Sequence, residues 1–302
     1  MNRQARMKKN IILEAKALLF MAPYLLLFTA FIVVPVCIAI VMSFTDFNAL
    51  EFPRFTGLKN YIDILTQDTV FLRNVLPNTF IFAVIVGPTG FFLGFILAWA
   101  LAQVTRRVRT VLTLVLYSPS MTAGVAVAVI WAVFFNGDRA GYLNSILMTA
   151  GVIWEPIQWL QSPEYLMIIM IIVSIWNSMG IGFLAMLAGI LNINKELYEA
   201  AYIDGLDSRL KEIYYITVPS MKPQLLFGAV MSVVGTFSAG SVGVMLTGTN
   251  PTPQNAGQLI INHIEDYGFL RYEMGYAAAL SVLLLILVYS LSKLCFRFFK
   301  ED

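Results

Sequence analysis

Six stretches of this chain carry no Asp, Glu, Lys, Arg or His and are long enough to cross a lipid bilayer. They fall at about residues 17–44, 75–101, 111–135, 165–191, 225–246 and 274–291. A spanning helix needs about 20 predominantly apolar residues. The sixth run is the shortest, and Lys293 and Arg297 lie just past it, where their charged ends can snorkel to the interface. Inside hydrocarbon every backbone polar group must be satisfied within the structure, which leaves helices or a closed barrel. A barrel would read as alternating segments of about ten residues, and these runs do not alternate. The expected fold class is therefore an all-α polytopic membrane protein with six transmembrane helices. Composition agrees: 59% of residues are hydrophobic and 13% charged, against about a quarter charged in soluble domains.

The charges between the runs set an orientation. Arg3, Arg6, Lys8, Lys9 and Lys16 precede the first run; Arg106, Arg107 and Arg109 follow the second; Lys195, Arg209, Lys211 and Lys222 follow the fourth; Lys293, Arg297 and Lys300 end the chain. The other side holds only Arg54, Lys59, Arg73, Arg139 and Arg271. The positive-inside rule then places both termini in the cytoplasm, and an even number of crossings agrees. The expected organisation is a cytoplasmic arm at 1–16, a transmembrane domain at 17–292 and a cytoplasmic tail at 293–302. The first run is too long for a signal-peptide core and no small-residue cleavage site follows it, so it is read as a retained span. Cys37 and Cys295 read as small apolar packing residues.

The connections differ in kind. Outward loop 1 is polar and mixed in charge; loop 3 carries Trp154 and Trp159, suited to the interface; loop 5 carries the turn-rich GTNPTPQNAG and the lone histidine, His263, expected to be solvated. The inward loop at 192–222 is the largest cytoplasmic connection. Asn194 stands as an N-cap with Glu196 in the first turn. Leu197, Ala200, Ala201 and Asp204 share one helical face, and Gly205 stands where a helix ends. A second helix is expected from an Asp207 cap through Leu210, Ile213, Tyr214 and Thr217, broken by Pro219 and Pro223. The first helix either lies on its own bundle or docks a cytosolic partner; chain physics leaves both open.

The absences are also informative. No span carries an ionisable acid, base or histidine, which argues against an ion-coupled carrier. The sequence has no GxxxxGK[ST] loop, so no ATPase site of its own is expected, and no HExxH, GxSxG or CxxC. Catalytic residues, metal ligands and nucleic-acid contacts are not expected.

EAAYIDGL at 199–206, with ITVP at 216–219, resembles the EAA loop of membrane subunits in bacterial binding-protein-dependent ABC importers. Glu199, Ala200, Ala201, Gly205, Ile216 and Pro219 match that motif. Ten residues separate Gly205 from Ile216 where the pattern has nine, and Leu206 stands where alanine is common. One extra residue would turn the second helix by about 100°. The likeness extends along the chain: MAPYLLLF, IVVPV and SFTDFN in and after the first run, GLKNYIDIL at 57–65, PNTF at 77–80, GYLNSIL at 141–147, WLQSP at 159–163 and SIWNSMGIG at 174–182 resemble carbohydrate-type (maltose-type) permeases.

The resemblance implies a permease subunit in the bacterial cytoplasmic (inner) membrane. Its implied partners are a second homologous permease subunit, two copies of a cytoplasmic ATPase subunit, an extracytoplasmic solute-binding protein and membrane lipid. It implies that ATP and Mg are used by the ATPase partners and that this chain binds no cofactor. The coupling segment would be Glu199, Ala200, Ala201, Asp204, Gly205 and Pro219. A sugar, oligosaccharide or related polyol derivative needs hydrogen-bonding groups and flat apolar faces. Trp131, Asn136, Ser174, Trp176, Asn177, Ser232, Thr236 and Ser238 are the candidates for its path. Gly235, Gly240 and Gly243 mark either close helix packing against the partner permease or a bend beside a cavity. The rival reading is a secondary carrier or channel that works without an ATPase. A scaffold for a membrane enzyme would leave the polar groups of the fourth and fifth runs unexplained.

Overall fold

A computed structural model describes residues 19–122 and 124–299. The expected arm at 1–16 and residues 300–302 of the tail lie outside the described residues. The fold is helical with one short hairpin. Helix α1 (Leu19–Met42) leads into β1 (Thr45–Asp46) and β2 (Arg54–Phe55), an antiparallel pair with Thr45 opposite Phe55. Next come α2 (Lys59–Thr66) and α3 (Phe71–Ala102). Then follow α4 (Arg106–Met121), α5 (Gly124–Phe134), α6 (Tyr142–Thr149), α7 (Pro163–Trp176) and α8 (Ile181–Leu191). The connection at 192–222 holds α9 (Lys195–Ile203) and α10 (209–220). Helices α11 (Lys222–Ser238), α12 (Val242–Thr247), α13 (Ile260–Glu265) and α14 (Met274–Phe299) complete the chain.

Three of the six expected spans are single long helices, namely α1, α3 and α14. The other three are interrupted. The third is α4 and α5, set at 96° to each other, with Pro119 in the last turn of α4 and Thr122 extended after it. The fourth is α7 and α8, bent by 40° across Asn177–Gly180. The fifth is α11 and α12, separated at Ala239–Ser241. The ends also move. Helix α14 runs eight residues past the expected 291 and includes Lys293 and Arg297, and α3 begins before the expected 75 with a π turn at Phe71–Val75.

Helices α3, α8 and α11 pack on one another, α14 packs on α11, and α1 packs on α14. Small residues allow a close crossing of α8 and α11: a Cβ on Gly182 of α8 would lie 3.2 Å from the Gly228 Cα of α11. One apolar cluster, around Phe82, Leu166, Met170 and Leu246, fills the outer part of the bundle. A second, around Ala98, Phe183, Met186 and Leu225, fills the end next to α10. Helix α1 buries none of its residues, and its N-terminal half faces outward with Leu19, Phe20, Leu26 and Phe31 exposed. Such a surface suits lipid, where exposed apolar groups lose nothing.

The outward side has its own core of Ile64, Phe71, Val75, Ile260, Ala279 and Leu280. His263, expected to be solvated, is 3% exposed and sits 2.7 Å from Asp68. Tyr276 donates to the same carboxylate at 2.8 Å and the Phe71 N–H donates at 2.8 Å. Burial alone would raise the Asp68 pKa, but the hydrogen bonds from His263, the Phe71 N–H and Tyr276 hold it down to about 2. This pairing is not legible in the sequence, because Asp68 and His263 stand 195 residues apart in different loops. The hairpin is tied to the start of α14 where the Gly275 N–H donates to the Phe47 carbonyl at 3.0 Å, and any Cβ on Gly275 would collide with the Thr45 carbonyl.

Candidate functional site: a central cavity and a cytoplasmic hairpin

The three interruptions converge. A cavity of about 510 Å³ lies between the two apolar clusters. Asn177, Ser178 and Gly180 from the α7–α8 break line it, as do Ala239 and Ser241 from the α11–α12 break and Ser120 and Gly124 from the α4–α5 bend. Non-helical backbone at membrane depth is tolerated where it is buried in protein or lines a cavity. Its volume lies within the range of small-molecule sites.

Of the residues singled out for a solute path, Ser174, Asn177, Ser232, Thr236 and Ser238 line the cavity. Two of them have buried polar atoms free to meet a ligand. The Ser174 hydroxyl and the Asn177 Oδ1 are buried without a hydrogen-bond partner among the described residues. Ser232 and Thr236 are engaged: Ser232 donates to the Gly87 carbonyl at 2.7 Å, and Thr236 donates to the Ser232 carbonyl at 2.7 Å, while Ser238 is exposed. Burying a polar group without a partner costs about 1–3 kcal/mol, so the Ser174–Asn177 pair stands out from the apolar wall.

Trp131, Trp176 and Asn136 stand elsewhere. The two indoles pack edge to face with centroids 5.5 Å apart, and Trp131 also stacks on Phe135. Neither lines the cavity. Asn136 is exposed in the outward loop, where its side chain accepts the Asp138 N–H at 2.8 Å. An Asx turn is a common use of asparagine in a loop. Sequence reasoning missed Tyr117, Ser120 and Ser241, which also line the cavity. The signal available was polar residues near Pro119 and Gly240, inside runs otherwise free of breaks.

The glycines of the fifth run take two roles. A Cβ on Gly240 would collide with Ile261, and one on Gly243 would lie 2.7 Å from the Gly257 carbonyl, so both pack against outward loop 5 of this chain. Gly235 has open space beside it and lines the cavity.

In the 192–222 connection α9 begins as its sequence predicts. The Asn194 side chain accepts the Glu196 N–H at 3.1 Å. The helix ends with Gly205 at φ +89°, the Gly205 N–H on the Tyr202 carbonyl and the Leu206 N–H on the Ala201 carbonyl. That double bond pattern is a Schellman termination, which requires the left-handed conformation glycine adopts freely. Glu199, Ala200, Asp204, Gly205 and Pro219 are exposed and Ala201 is half-buried. No residue of α9 is buried, while Tyr202 and Ile203 are 76% and 84% exposed. The helix therefore projects from the bundle rather than lying on it.

Helix α10 differs from expectation in two ways. Its N-cap is Ser208 rather than Asp207, whose carboxylate instead pairs with Lys211 at 3.1 Å. It also contains a π turn at Ile213–Thr217, with the Val218 N–H bonded to the Ile213 carbonyl. A π turn takes up one additional residue within an α-helix. The extra residue between Gly205 and Ile216 is thus absorbed locally, and the chain after Thr217 regains the facing that a 100° rotation would have cost it. Pro219 follows within one turn, and Met221 ends the helix.

A bundle of interrupted membrane helices around a polar cavity, with a helical hairpin projecting from one end, defines a membrane transport subunit. Comparison with known proteins gives the family. Residues 90–296 match the profile of the binding-protein-dependent transport system inner membrane component. The arabinooligosaccharides transport system permease of Bacillus subtilis is 31% identical over 277 residues, covering 91% of this chain and 85% of that protein. The lactose transport system permease of Rhizobium radiobacter is 30% identical, covering 94% and 93%. The sn-glycerol-3-phosphate transport system permease of Agrobacterium fabrum is 28% identical, covering 94% and 94%. A chain from the crystal structure of a bacterial alginate ABC transporter, in complex with an alginate pentasaccharide-bound periplasmic protein, has the same fold, with a TM-score of 0.78 at 22% identity over 99% of this chain and 98% of that one.

The chain belongs to the family of binding-protein-dependent transport system inner membrane components. It is a multi-pass subunit of an ABC importer, with no ATPase site of its own, and the carrier or channel alternative is set aside.

Proposed function

We propose that this chain pairs with a second homologous permease to form the path of an uncharged, polyhydroxylated solute, a sugar, oligosaccharide or related polyol derivative. One observation carries the reading: three broken spans meet at a cavity whose lining offers serine and threonine hydroxyls and the Asn177 amide, and includes no acid, lysine, arginine or histidine. Neutral donors and acceptors between apolar faces match a sugar's hydroxyls and ring faces. The names of the relatives, which include arabinooligosaccharide and lactose systems, support the same class.

The energy enters through the cytoplasmic hairpin. Two copies of an ATPase subunit, using ATP and Mg, engage the exposed Glu199–Gly205 segment. Closing of that pair carries α9 with it, rocks α8 and α11 to either side of the connection, and opens the cavity outward to a solute-binding protein. Hydrolysis resets the inward-facing state. Both termini lie in the cytoplasm of a bacterial inner membrane.

Two experiments test this reading. In the assembled transporter, Asn177→Leu is expected to raise the solute concentration for half-maximal uptake about fivefold, the scale of one lost hydrogen bond, with basal ATP hydrolysis retained. Asn136→Ala, outside the cavity, is expected to leave uptake unchanged. Equal uptake by the Asn177 variant and the parent would remove the cavity from the path. For orientation, single cysteines at Asn48 and at Ser208 are expected to react with an impermeant maleimide from opposite sides of the membrane. Labelling of both from one side would reject the proposed topology.

A further inference from the structure

Helix α9 is attached to the rest of the chain by very little. It buries no residue, and no ion pair among the described residues involves it. Its own hydrogen bonds are local, apart from one. The Tyr198 hydroxyl lies 3.2 Å from the Thr217 Oγ1, across 19 residues of sequence. Tyr198 is half-buried and Thr217 is 0% exposed.

Thr217 is placed there by the π turn. It is the last residue of that turn, and its hydroxyl also reaches the Glu212 carbonyl at 3.4 Å. Ile216, beside it, is 8% exposed. Thr217 is therefore fixed at the foot of α10, four residues before Met221, which is itself fully buried where α11 begins. A displacement of α9 can reach α11 along two routes. One is the backbone through Gly205, Leu206 and Asp207, a turn held only by local bonds to the end of α9 and to Lys211. The other is the Tyr198–Thr217 contact, which joins the middle of α9 directly to the buried end of α10.

We propose that the Tyr198–Thr217 hydrogen bond is a positioning link that makes α9 and the base of α11 move as one body, so that motion of the ATPase pair reaches the cavity rather than being lost in the hinge at Gly205. The π turn has a use on this reading: it brings Thr217 to α9 despite the extra residue in the loop. The link rests on the coupling role given to Glu199–Gly205 above. It also fits the chemistry of a part that must be rigid yet light. Two hydroxyls, each able to donate or accept, hold a geometry without a buried charge.

The test uses the complete transporter, with its second permease, ATPase subunits and binding protein, reconstituted in vesicles. Tyr198→Phe removes one oxygen and leaves the ring, and Thr217→Val keeps the side-chain shape. Each is expected to lower solute taken up per ATP hydrolysed about fivefold, the lower end of couplings between sites, while the ATPase subunits still co-purify. The double variant is expected to match either single one, because both remove the same bond. Thr217→Ser, which keeps the hydroxyl, is expected to retain the parent ratio. A Tyr198→Phe transporter with the parent's ratio of uptake to hydrolysis overturns the link, and so does a double variant whose loss is the sum of the two singles. Gly205→Val, measured alongside, separates the two levels. If it uncouples while Tyr198→Phe does not, only the link is wrong; if neither uncouples, the coupling role of the hairpin has failed with it.

Discussion

A Gly205→Val transporter is expected to assemble and to hydrolyse ATP while accumulating solute at least about tenfold more slowly, a change within the range of coupling between distant sites. The reason is the backbone. Gly205 sits at φ +89° with nothing within 4 Å of where a Cβ would stand, so a side chain meets no neighbour there. A β-branched residue in that conformation costs about 1–3 kcal/mol. The chain relieves it by leaving the left-handed region, which breaks the bonds from the Gly205 and Leu206 N–H groups to the Tyr202 and Ala201 carbonyls. Helix α9 then ends at a different angle, and Glu199 and Ala200 present themselves wrongly to the ATPase. Gly205→Asn gives the control, since asparagine enters the left-handed region with less strain; it is expected to keep most of the uptake. Solute accumulation and phosphate release measured together in reconstituted vesicles decide the matter. Parent-like accumulation by the valine variant would mean that the exit geometry of α9 has no part in coupling.

Much of this arrangement is written plainly in the residues. Charge-free runs coincide with the three long apolar helices and with two bent helix pairs, because hydrocarbon excludes ionised groups and demands helical backbone. The start of α9 is equally readable, since Asn194 and Glu196 act within one turn of each other. The helix breaks are harder. Asn177–Gly180 and Ala239–Ser241 lie inside runs whose apolar composition serves a straight helix as well as a broken one. What decides for a break is the cavity, a property of three helices together. Trp131 and Trp176 show the same limit from the other side: aromatic residues near polar ones suggest a sugar face, yet these two pack edge to face on each other, Trp131 against an apolar cluster and Trp176 half exposed, and neither lines the cavity. The π turn is least legible of all, because its cause is a count of residues between Gly205 and Ile216 and its effect is a rotation.

Asp68→Ala is expected to lower the midpoint of thermal unfolding in detergent by about 10 °C. The substitution removes the common acceptor of His263, Tyr276 and the Phe71 N–H, all at or under 2.8 Å, and leaves their donors buried beside a small cavity. Breaking one side of such a pair costs about 3–5 kcal/mol, mainly because the surviving partner is stranded. The damage is not local, since this carboxylate joins the start of α3, the loop carrying α13 and the start of α14. The same group sets an acid limit. Its pKa falls from 3.8 to about 2 on folding, so the folded state binds fewer protons than the unfolded state between those values. The stability that this shift contributes is whole above about pH 4 and drains away as pH falls toward 2. Unfolding midpoints of the parent and of Asp68→Asn, followed across that window, should therefore converge as pH drops, because other carboxylates titrate in both proteins and only the parent has Asp68 to lose. A constant gap between the two curves would mean that the Asp68 charge contributes nothing, and that the outward ledge is held by the packing of Ile64, Phe71 and Leu280 alone.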